Sequence, residues 1–300
     1  MQEPFPSSAP PIVELRRVTR QFGNKTALDD VSLSVPRGGV FGLIGGNGAG
    51  KTTLIKHILG LLRAQSGSVR VFGLDPVVNP VGTLGRIGYL SEDRDLPNWM
   101  RVGELMRYTR AFFPNWDESY AEELREAFDL DANAKIKHLS RGQRARAGLL
   151  AALAHRPELL VLDEPSSGLD PVVRRDILGA IIRTIAEEGR TVLFSSHLLD
   201  EVERVADRVA IIHQGRIMLT ATMDELKETH RRVTLRFGQS LDRPPSLVGT
   251  LSCAGQGSEW TYICSGEGEQ LRRAAEAIGA TVVDDAGLTL DEIFVSRVTG

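Results

Sequence analysis

Residues Gly45–Thr53 have the sequence GGNGAGKTT, and this stretch decides the fold because it fully matches the pattern G-x-x-x-x-G-K-[ST]. It follows the apolar segment Val40–Ile44, which predicts a buried strand, and it leads into a predicted helix from Lys51. Glycines let backbone N–H groups turn inward around phosphate oxygens at a helix N-terminus. The predicted phosphate-binding residues are Gly45, Gly46, Asn47, Gly48, Ala49, Gly50, Lys51, Thr52 and Thr53.

Two side chains of this loop have specific chemical roles in the prediction. The Lys51 ammonium can neutralise the β- and γ-phosphates of a nucleotide, and the Thr52 hydroxyl can ligate Mg²⁺. The alternative is a glycine-rich turn with an incidental lysine. The strand before the loop and the helix after it argue against that alternative.

A second motif, Leu159–Pro165, has the sequence LLVLDEP and predicts a buried strand that ends in two carboxylates. Ligands of open α/β sheets bind at the carboxyl ends of the strands, where Asp163 can hold the water shell of Mg²⁺. Glu164 can orient and deprotonate an attacking water. Taken alone, the stretch fits a simple turn equally well. Together with the phosphate loop, it indicates nucleotide hydrolysis.

Strands and helices alternate along most of the chain. Alternating apolar residues predict antiparallel strands within 12–35 and 67–73, whereas Leu159–Leu162 and Thr191–Phe194 predict buried parallel strands. This order predicts an α/β protein in which a largely parallel sheet has helices on its faces. The segments with helical spacing of apolar residues are 101–113, 117–130 and 141–155.

The pattern changes after about Thr222, where short alternating segments flank one amphipathic helix. The predicted strands there are 233–237, 259–264 and Thr281–Val283, and the predicted helices are 268–279 and Asp291–Arg297. We therefore expect a small α+β appendage after the main domain. The expected organisation is a flexible N-terminus at 1–11, a nucleotide-binding domain at 12–222 with a helical subdomain at about 93–155, and an α+β domain at 223–300.

The composition argues against two classes of function. Of the 300 residues, 42% are hydrophobic and 25% are charged, which is typical of an ordinary globular protein. A net charge of −3 argues against a dedicated nucleic-acid-binding protein, which usually has a basic excess. No apolar run approaches the roughly 18 residues that span a bilayer, so we expect no membrane channel from this chain alone.

The N-terminal residues and the cysteines indicate where the protein works. Residues 1–11 have no basic segment followed by an apolar one, so they do not resemble a secretory signal. Cys253 and Cys264 are expected to be free thiols in a reducing cytosol. A disulfide between neighbouring strands is the less favoured alternative, and a two-cysteine zinc site is less favoured still, because no third ligand lies nearby.

The segment Leu139–Gln143 has the sequence LSRGQ and precedes a predicted helix. On its own, Ser140 is also typical of a helix N-cap. With the two motifs above, the chain resembles the ATP-binding subunits of ABC transporters, whose signature is LSGGQ; here Arg141 takes the third position. The resemblance covers about residues 12–220. It implies an ATPase with ATP and Mg²⁺ as cofactors, a P-loop NTPase (RecA-like) core, an antiparallel β subdomain and a helical signature subdomain.

The resemblance implies roles for further residues. The signature of one subunit binds the γ-phosphate held by the opposite subunit, so two chains enclose two ATP molecules. Asp170 belongs to the loop at that interface, His197 matches a histidine that contacts the γ-phosphate, and Phe22 matches an aromatic that stacks on adenine. The signature residues expected to contact nucleotide are Ser140, Gly142 and Gln143.

One position departs from the family pattern. The family has glutamine after a strand in the loop that leads to the helical subdomain, and Glu92 takes that place here. Its carboxylate can meet Mg²⁺ or the attacking water, although it adds negative charge to an acidic site. An alignment shifted by one residue makes Ser91 the equivalent position.

The resemblance also implies partners. We expect a second copy of the chain or a paralogous ATPase subunit, and an ABC permease subunit that holds the protein at the cytoplasmic face of the membrane. The helical subdomain is expected to contact the permease; its apolar residues are either part of that contact or, as we favour, helical core. These residues are Leu105, Met106, Tyr108 and Phe112.

The direction of transport has weaker support. The ending Thr289–Val295 resembles that of ATPases paired with bacterial export-type permeases, and Phe112–Asp117 resembles a subgroup linked to peptide or antibiotic export. The alternative function is an ABC ATPase without a permease that acts on ribosomes or nucleic acid. The mild acidity and the absence of a basic arm argue against it, and no direct contact with nucleic acid is expected.

Overall fold

The computed structural model describes residues 10–93 and 95–299. The chain divides into two compact units, the first up to Leu219 and the second from Thr220. The strands of the first unit are β1 (Val13–Phe22), β2 (Lys25–Val35), β3 (Gly39–Ile44), β4 (Ser66–Val71), β5 (Ile87–Leu90), β6 (Leu159–Asp163), β7 (Thr191–Ser196), β8 (Arg208–His213) and β9 (Arg216–Thr222), the last of which continues into the second unit. Its helices are α1 (Lys51–Ile58), α2 (Pro80–Leu84), α3 (Val102–Arg110), α4 (Glu118–Ala127), α5 (Arg141–Leu153), α6 (Pro171–Glu188) and α7 (Leu199–Val205).

A six-stranded sheet with the order β5-β6-β7-β3-β8-β9 forms the centre of this unit. The pairs β5–β6, β6–β7, β7–β3 and β3–β8 are parallel. All five residues of β6 and all six of β7 are buried, as expected for strands covered on both faces. The parallel α/β core expected from the sequence is therefore confirmed, and its order brings the ends of β3, β6 and β7 together.

A second, antiparallel sheet has the order β2-β1-β4. Val13 lies opposite both Val35 and Val71, and Leu15 lies opposite both Leu33 and Val69. Because side chains alternate between the faces of a strand, this register places one apolar row on one face of the sheet. That row packs into the main core of the unit, which also contains Leu54 of α1.

Helices α3, α4 and α5 form the helical subdomain. Each begins near a predicted residue, but α3 ends at Arg110 and α4 at Ala127, about one turn earlier than predicted. Leu105 packs with Met100 and Ile136 in a small core. Met106 is also buried, whereas Tyr108 and Phe112 are half or more exposed. Leu105 and Met106 therefore belong to the helical core, as favoured from the sequence, whereas Tyr108 and Phe112 lie at the surface.

The second unit contains α8 (Met223–Thr229), β10 (His230–Leu241), β11 (Thr250–Ser265), α9 (Gly268–Ala277), β12 (Ala280–Gly287) and α10 (Leu290–Thr299). Its sheet has the order β11-β10-β12, and β10 pairs antiparallel with both neighbours. Leu235 and Tyr262 pack with Leu271 of α9 in its own core. Cys253 and Cys264 are free thiols, as expected. No helix in the described ranges, 10–93 and 95–299, is long and apolar enough to span a membrane.

Candidate functional site

The glycine-rich loop connects β3 to α1. Gly48 and Gly50 have φ angles of 76° and 118°, a left-handed backbone that glycine adopts without steric cost. At Gly45 the constraint is space, because a Cβ there would lie 2.5 Å from the backbone oxygen of Ile212. These restrictions keep the loop in one conformation, with Lys51 as the first residue of α1.

The loop lines a cavity of about 330 Å³. This size suits the phosphates and part of a nucleotide. Lys25 and Ala27 also line the cavity, and neither was predicted as a site residue. Both residues lie at the start of β2, where Lys25 pairs with Phe22 at the end of β1. The predicted position of Phe22 was therefore the signal that could have located them. The lining residues are Phe22, Lys25, Ala27, Gly46, Asn47, Gly48, Ala49, Gly50, Lys51, Thr52, Thr53, Glu92 and Glu164.

The Lys51 ammonium is buried and has three oxygen partners. Its Nζ donates to the backbone oxygens of Gly45 at 2.5 Å and Gly46 at 3.2 Å. It also forms an ion pair with Glu164 Oε1 at 3.0 Å. The predicted phosphate ligand Lys51 and the predicted base Glu164 are therefore in direct contact.

Asp163 ends β6 and is 1% exposed. Its Oδ1 accepts a hydrogen bond from the Ser195 hydroxyl of β7 at 2.7 Å, while its buried Oδ2 has no hydrogen bond of normal geometry within the described residues. Burial raises the pKa of Asp163, and the hydroxyls of Ser195 and Thr52 oppose that rise. The buried Oδ2 is thus a hard oxygen ligand suited to a cation.

Glu164 has a φ angle of 48°, in the left-handed region that residues other than glycine rarely adopt. Its carboxylate is nearly buried. In addition to the ion pair with Lys51, its Oε2 lies 2.6 Å from Nδ1 of His197 and 3.4 Å from the His197 backbone nitrogen. His197 is therefore adjacent to the predicted base, a contact that the sequence did not predict, and its side chain is 36% exposed.

Phe22 and Glu92 lie at the rim of the same cavity. The Phe22 ring is 45% exposed, and the guanidinium of Arg20 lies 4.7 Å from its centroid. Glu92 also lines a neighbouring cavity of about 670 Å³ between the core and the helical subdomain. Ser91 lines this second cavity but is absent from the lining of the phosphate cavity, among the residues that the structure describes.

The signature residues form a separate group. Ser140 caps α5, because its Oγ accepts from the Gln143 backbone N–H at 3.1 Å and its own N–H donates to the Gln143 side chain at 3.0 Å. Gly142 is needed for packing, since a Cβ there would lie 2.7 Å from Val173. In the described part of the chain, Ser140, Gly142 and Gln143 do not line the phosphate cavity.

The loop after Glu164 contacts both the signature helix and α7. Arg141 donates to the backbone oxygen of Ser167 at 3.1 Å. Asp170 accepts from the N–H groups of Val172 and Val173 and so caps α6. Like the signature residues, it is outside the described lining of the phosphate cavity.

A buried pair that the sequence did not indicate joins this loop to α7. The Ser166 hydroxyl donates to Glu201, which is 3% exposed. Burial raises the pKa of Glu201, and the hydrogen bond from Ser166 opposes that rise. The pair joins the loop to the helix that follows His197.

Comparison with known proteins identifies the family. The family model described as ABC transporter matches residues 28–167. The ABC transporter ATP-binding protein YtrB of Bacillus subtilis (strain 168) is 27% identical over 96% of this chain and 99% of its own length. The bacitracin transport ATP-binding protein BcrA of Enterococcus faecalis is 32% identical over 74% of this chain and 73% of its own. A solved ATP-binding subunit of an ABC transporter superposes with a TM-score of 0.66 at 28% identity, covering 72% of this chain and 92% of that one.

Proposed function

The chain belongs to the ABC transporter family as an ATP-binding, ATP-hydrolysing subunit, and on that premise we propose which of its residues act and what the hydrolysis drives. Phe22 stacks on the adenine, and the N–H groups of Gly45–Thr53 surround the phosphates. When nucleotide binds, the Lys51 ammonium leaves the Glu164 carboxylate and pairs with the phosphate oxygens. The observation that supports this best is that the Glu164 carboxylate contacts both Lys51 and His197.

Mg²⁺ fits the oxygen donors of the site. Thr52 lines the cavity, and Asp163 Oδ2 is a buried carboxylate oxygen with no hydrogen bond of normal geometry within the described residues. Hard oxygen ligands of this kind are those that Mg²⁺ prefers. We propose that Thr52 and Asp163 hold the cation, with Glu92 in reach of its water shell. Bound there, Mg²⁺ neutralises charge on the phosphates.

Glu164 is the proposed general base. Once Lys51 has moved to the phosphates, the contact with His197 Nδ1 keeps the carboxylate oriented toward the cavity. A carboxylate held in this way can accept a proton from the attacking water. His197, with its exposed ring, can then contact the γ-phosphate.

The separate position of the signature group supports a two-chain site. Ser140, Gly142 and Gln143 lie at the start of α5, where unpaired N–H groups and the helix dipole favour an anion. We propose that they bind the γ-phosphate on a partner ATPase subunit, with Asp170 at the interface. ATP then closes the pair, and hydrolysis and product release reopen it.

We further propose that hydrolysis drives export through a separate permease at the cytoplasmic face of the membrane. The exposed aromatic residues of the helical subdomain, Trp99, Tyr108 and Phe112, support a partner contact there. The Tyr108 ring packs edge-on against the Phe112 ring, with the two centroids 5.1 Å apart. Leu105 and Met106 belong to the helical core, as we favoured from the sequence. Export as the direction rests on the resemblance of Thr289–Val295 to the ending of ATPases that are paired with export-type permeases.

The Glu164→Gln variant tests the proposed catalytic role. We expect ATP turnover to fall by about 100-fold or more, because the base is lost, while binding of a fluorescent ATP analogue is retained. The matched control is Glu158→Gln, which removes a carboxylate that pairs with Arg86 at the other end of the same strand. Near-normal phosphate release by Glu164→Gln would remove Glu164 as the base.

A further inference from the structure

Ser195 lies at the end of β7 and is fully buried. Its Oγ donates to Asp163 Oδ1 at 2.7 Å and accepts from the Glu164 backbone N–H at 3.0 Å. The Ser195 backbone oxygen lies 3.2 Å from the same N–H. The Ser195 hydroxyl therefore contacts both carboxylate residues of the proposed site: the side chain of Asp163 and the backbone of Glu164.

The contact with Glu164 is made where the backbone is unusual. A φ of 48° is unfavourable for a residue with a Cβ and persists only where surrounding groups hold it. The two oxygens of Ser195 are acceptors for the N–H of this residue, and so they stabilise the conformation that directs its carboxylate toward Lys51 and His197.

The contact with Asp163 has a different consequence. A buried carboxylate can rotate about its last torsion unless one oxygen is held. Because Oδ1 accepts the Ser195 hydroxyl proton, the carboxylate is held at this oxygen, and the other oxygen, Oδ2, takes no part in that hydrogen bond. The same hydroxyl thus fixes which oxygen of Asp163 is presented to a cation.

From these contacts we propose that Ser195 is a positioning residue for ATP hydrolysis, which sets the orientations of Asp163 and Glu164 together. The proposal rests on the roles given to those two residues above. Ser195 touches neither nucleotide nor water in this scheme. Its effect is on turnover through geometry, since small misplacement of catalytic groups slows reaction strongly.

If Ser195 only stabilised the fold, removal of another buried hydroxyl of β7 should have the same effect on the protein. Thr191 begins β7, is 2% exposed, and its Oγ1 accepts from the Gly38 N–H at 2.9 Å. It lies at the opposite end of the strand from the carboxylates. Thr191→Val removes one buried hydroxyl while keeping the side-chain shape, so it is a matched control for Ser195→Ala.

The test compares Ser195→Ala, Ser195→Thr and Thr191→Val in the full chain. We expect Ser195→Ala to lower kcat by about 10- to 100-fold, with KM for ATP changed by less than about threefold, and Ser195→Thr to retain most of the turnover because it keeps the hydroxyl. Thr191→Val should lower Tm as much as Ser195→Ala and leave kcat near wild type. If Ser195→Ala does not fold, Ser195→Cys replaces it with the same expectation.

A second readout does not depend on turnover. Affinity for a fluorescent ADP analogue is titrated with Mg²⁺ and with EDTA, and the gain that Mg²⁺ gives should be smaller in Ser195→Ala than in Thr191→Val. Unchanged kcat in Ser195→Ala, or an equal loss in Thr191→Val, would overturn the positioning role. Glu164→Gln distinguishes failure of the positioning role from failure of the proposed function. An inactive Glu164→Gln together with a fully active Ser195→Ala would overturn the positioning role of Ser195 and leave the proposed function intact.

Discussion

Lys51 and Glu164 neutralise each other in a site where both side chains are nearly buried. A buried charge without a partner is costly, and in this ion pair each charge has an opposite charge beside it. Nucleotide phosphates are competing partners for the ammonium. In the mechanism proposed above, binding of ATP releases Glu164 from Lys51, and the carboxylate becomes available as a base only where a phosphate is present.

His155 is a second buried residue whose charge matters. Its Nε2 donates to the backbone oxygen of Ile87 at 3.1 Å, and its ring stacks on Phe113 with centroids 3.7 Å apart. Burial lowers the pKa of His155 from 6.5 to about 4. The folded state therefore binds fewer protons than the unfolded state between these two values, and stability falls as pH falls through that window.

We expect His155→Gln to flatten this part of the pH–stability profile. Glutamine can still donate to Ile87 but does not titrate, so the loss of up to about 3 kcal/mol between pH 6.5 and 4 should be absent. The measurement is urea unfolding of both proteins across that range. His57 and His230 also have lowered pKa values and remain in both proteins. Parallel profiles for variant and wild type would show that His155 is not responsible.

Most of the predicted residues that line the cavity belong to the continuous motif Gly45–Thr53, whereas Phe22, Glu92 and Glu164 come from separate parts of the chain. Lys51 and Thr52 follow a strand within the glycine loop, and the loop's backbone restrictions fix where they lie. Ser195 is different, because its partners Asp163 and Glu164 are 32 and 31 residues away along the chain. Their contact depends on β6 and β7 being neighbours, which no local pattern in the sequence reveals.

The periodicity of apolar residues did not predict which strands are neighbours in the sheet. Apolar runs predicted the central strands, but the order β5-β6-β7-β3-β8-β9 results from packing of the whole sheet. Helix α6 was also not predicted. Its first turn contains Pro171, Val172 and Val173, and β-branched residues are more typical of strands. Tertiary packing of Val173 and Ile177 overrides that local preference.

The packing of β5 against the end of α5 leads to a prediction about Gly88. A Cβ at this position would lie 2.1 Å from the backbone oxygen of Ala152 and 2.9 Å from Pro157. We expect Gly88→Ala to lower the free energy of unfolding by about 1–3 kcal/mol, because neither group can move easily.

Gly179 in α6 is the matched control for Gly88. A Cβ there has no atom within 4 Å among those described, so Gly179→Ala should raise stability by about 0.5–1 kcal/mol through helix propensity. Both variants are compared by urea denaturation. Equal stability of Gly88→Ala and wild type would mean that the strand and helix can separate without cost.

The molecule as a whole combines a nucleotide-binding unit with a smaller α+β unit from Thr220 that has its own core. Alternation and one amphipathic helix were enough to predict the class of the smaller unit. They did not predict that β10, its first strand, lies in the middle of the sheet with β11 and β12 on either side. That arrangement follows from long-range pairing.

The proposed transport function is tested on the whole assembly. A tagged Glu164→Gln chain, purified with ATP from detergent-solubilised membranes, should retain a polytopic membrane protein in near-stoichiometric amount, because blocked hydrolysis keeps the subunits closed. Mass spectrometry identifies the bound protein, and Lys51→Ala is the control that should not form the ATP-closed pair. Ribosomal or DNA-associated proteins without a membrane partner would instead support the ATPase that works without a permease.

The phosphate loop and the signature residues occupy different places on one chain, and this has a consequence for mixtures of chains. With the pairing proposed above, every hydrolysis site needs residues from two molecules. A chain with an inactivating substitution then also spoils the assemblies that it shares with normal chains. When the partner is a second copy and the normal and inactive chains are expressed equally, only about one quarter of the randomly formed dimers would contain two normal chains. An inactive copy would therefore be dominant over the active one in the cell.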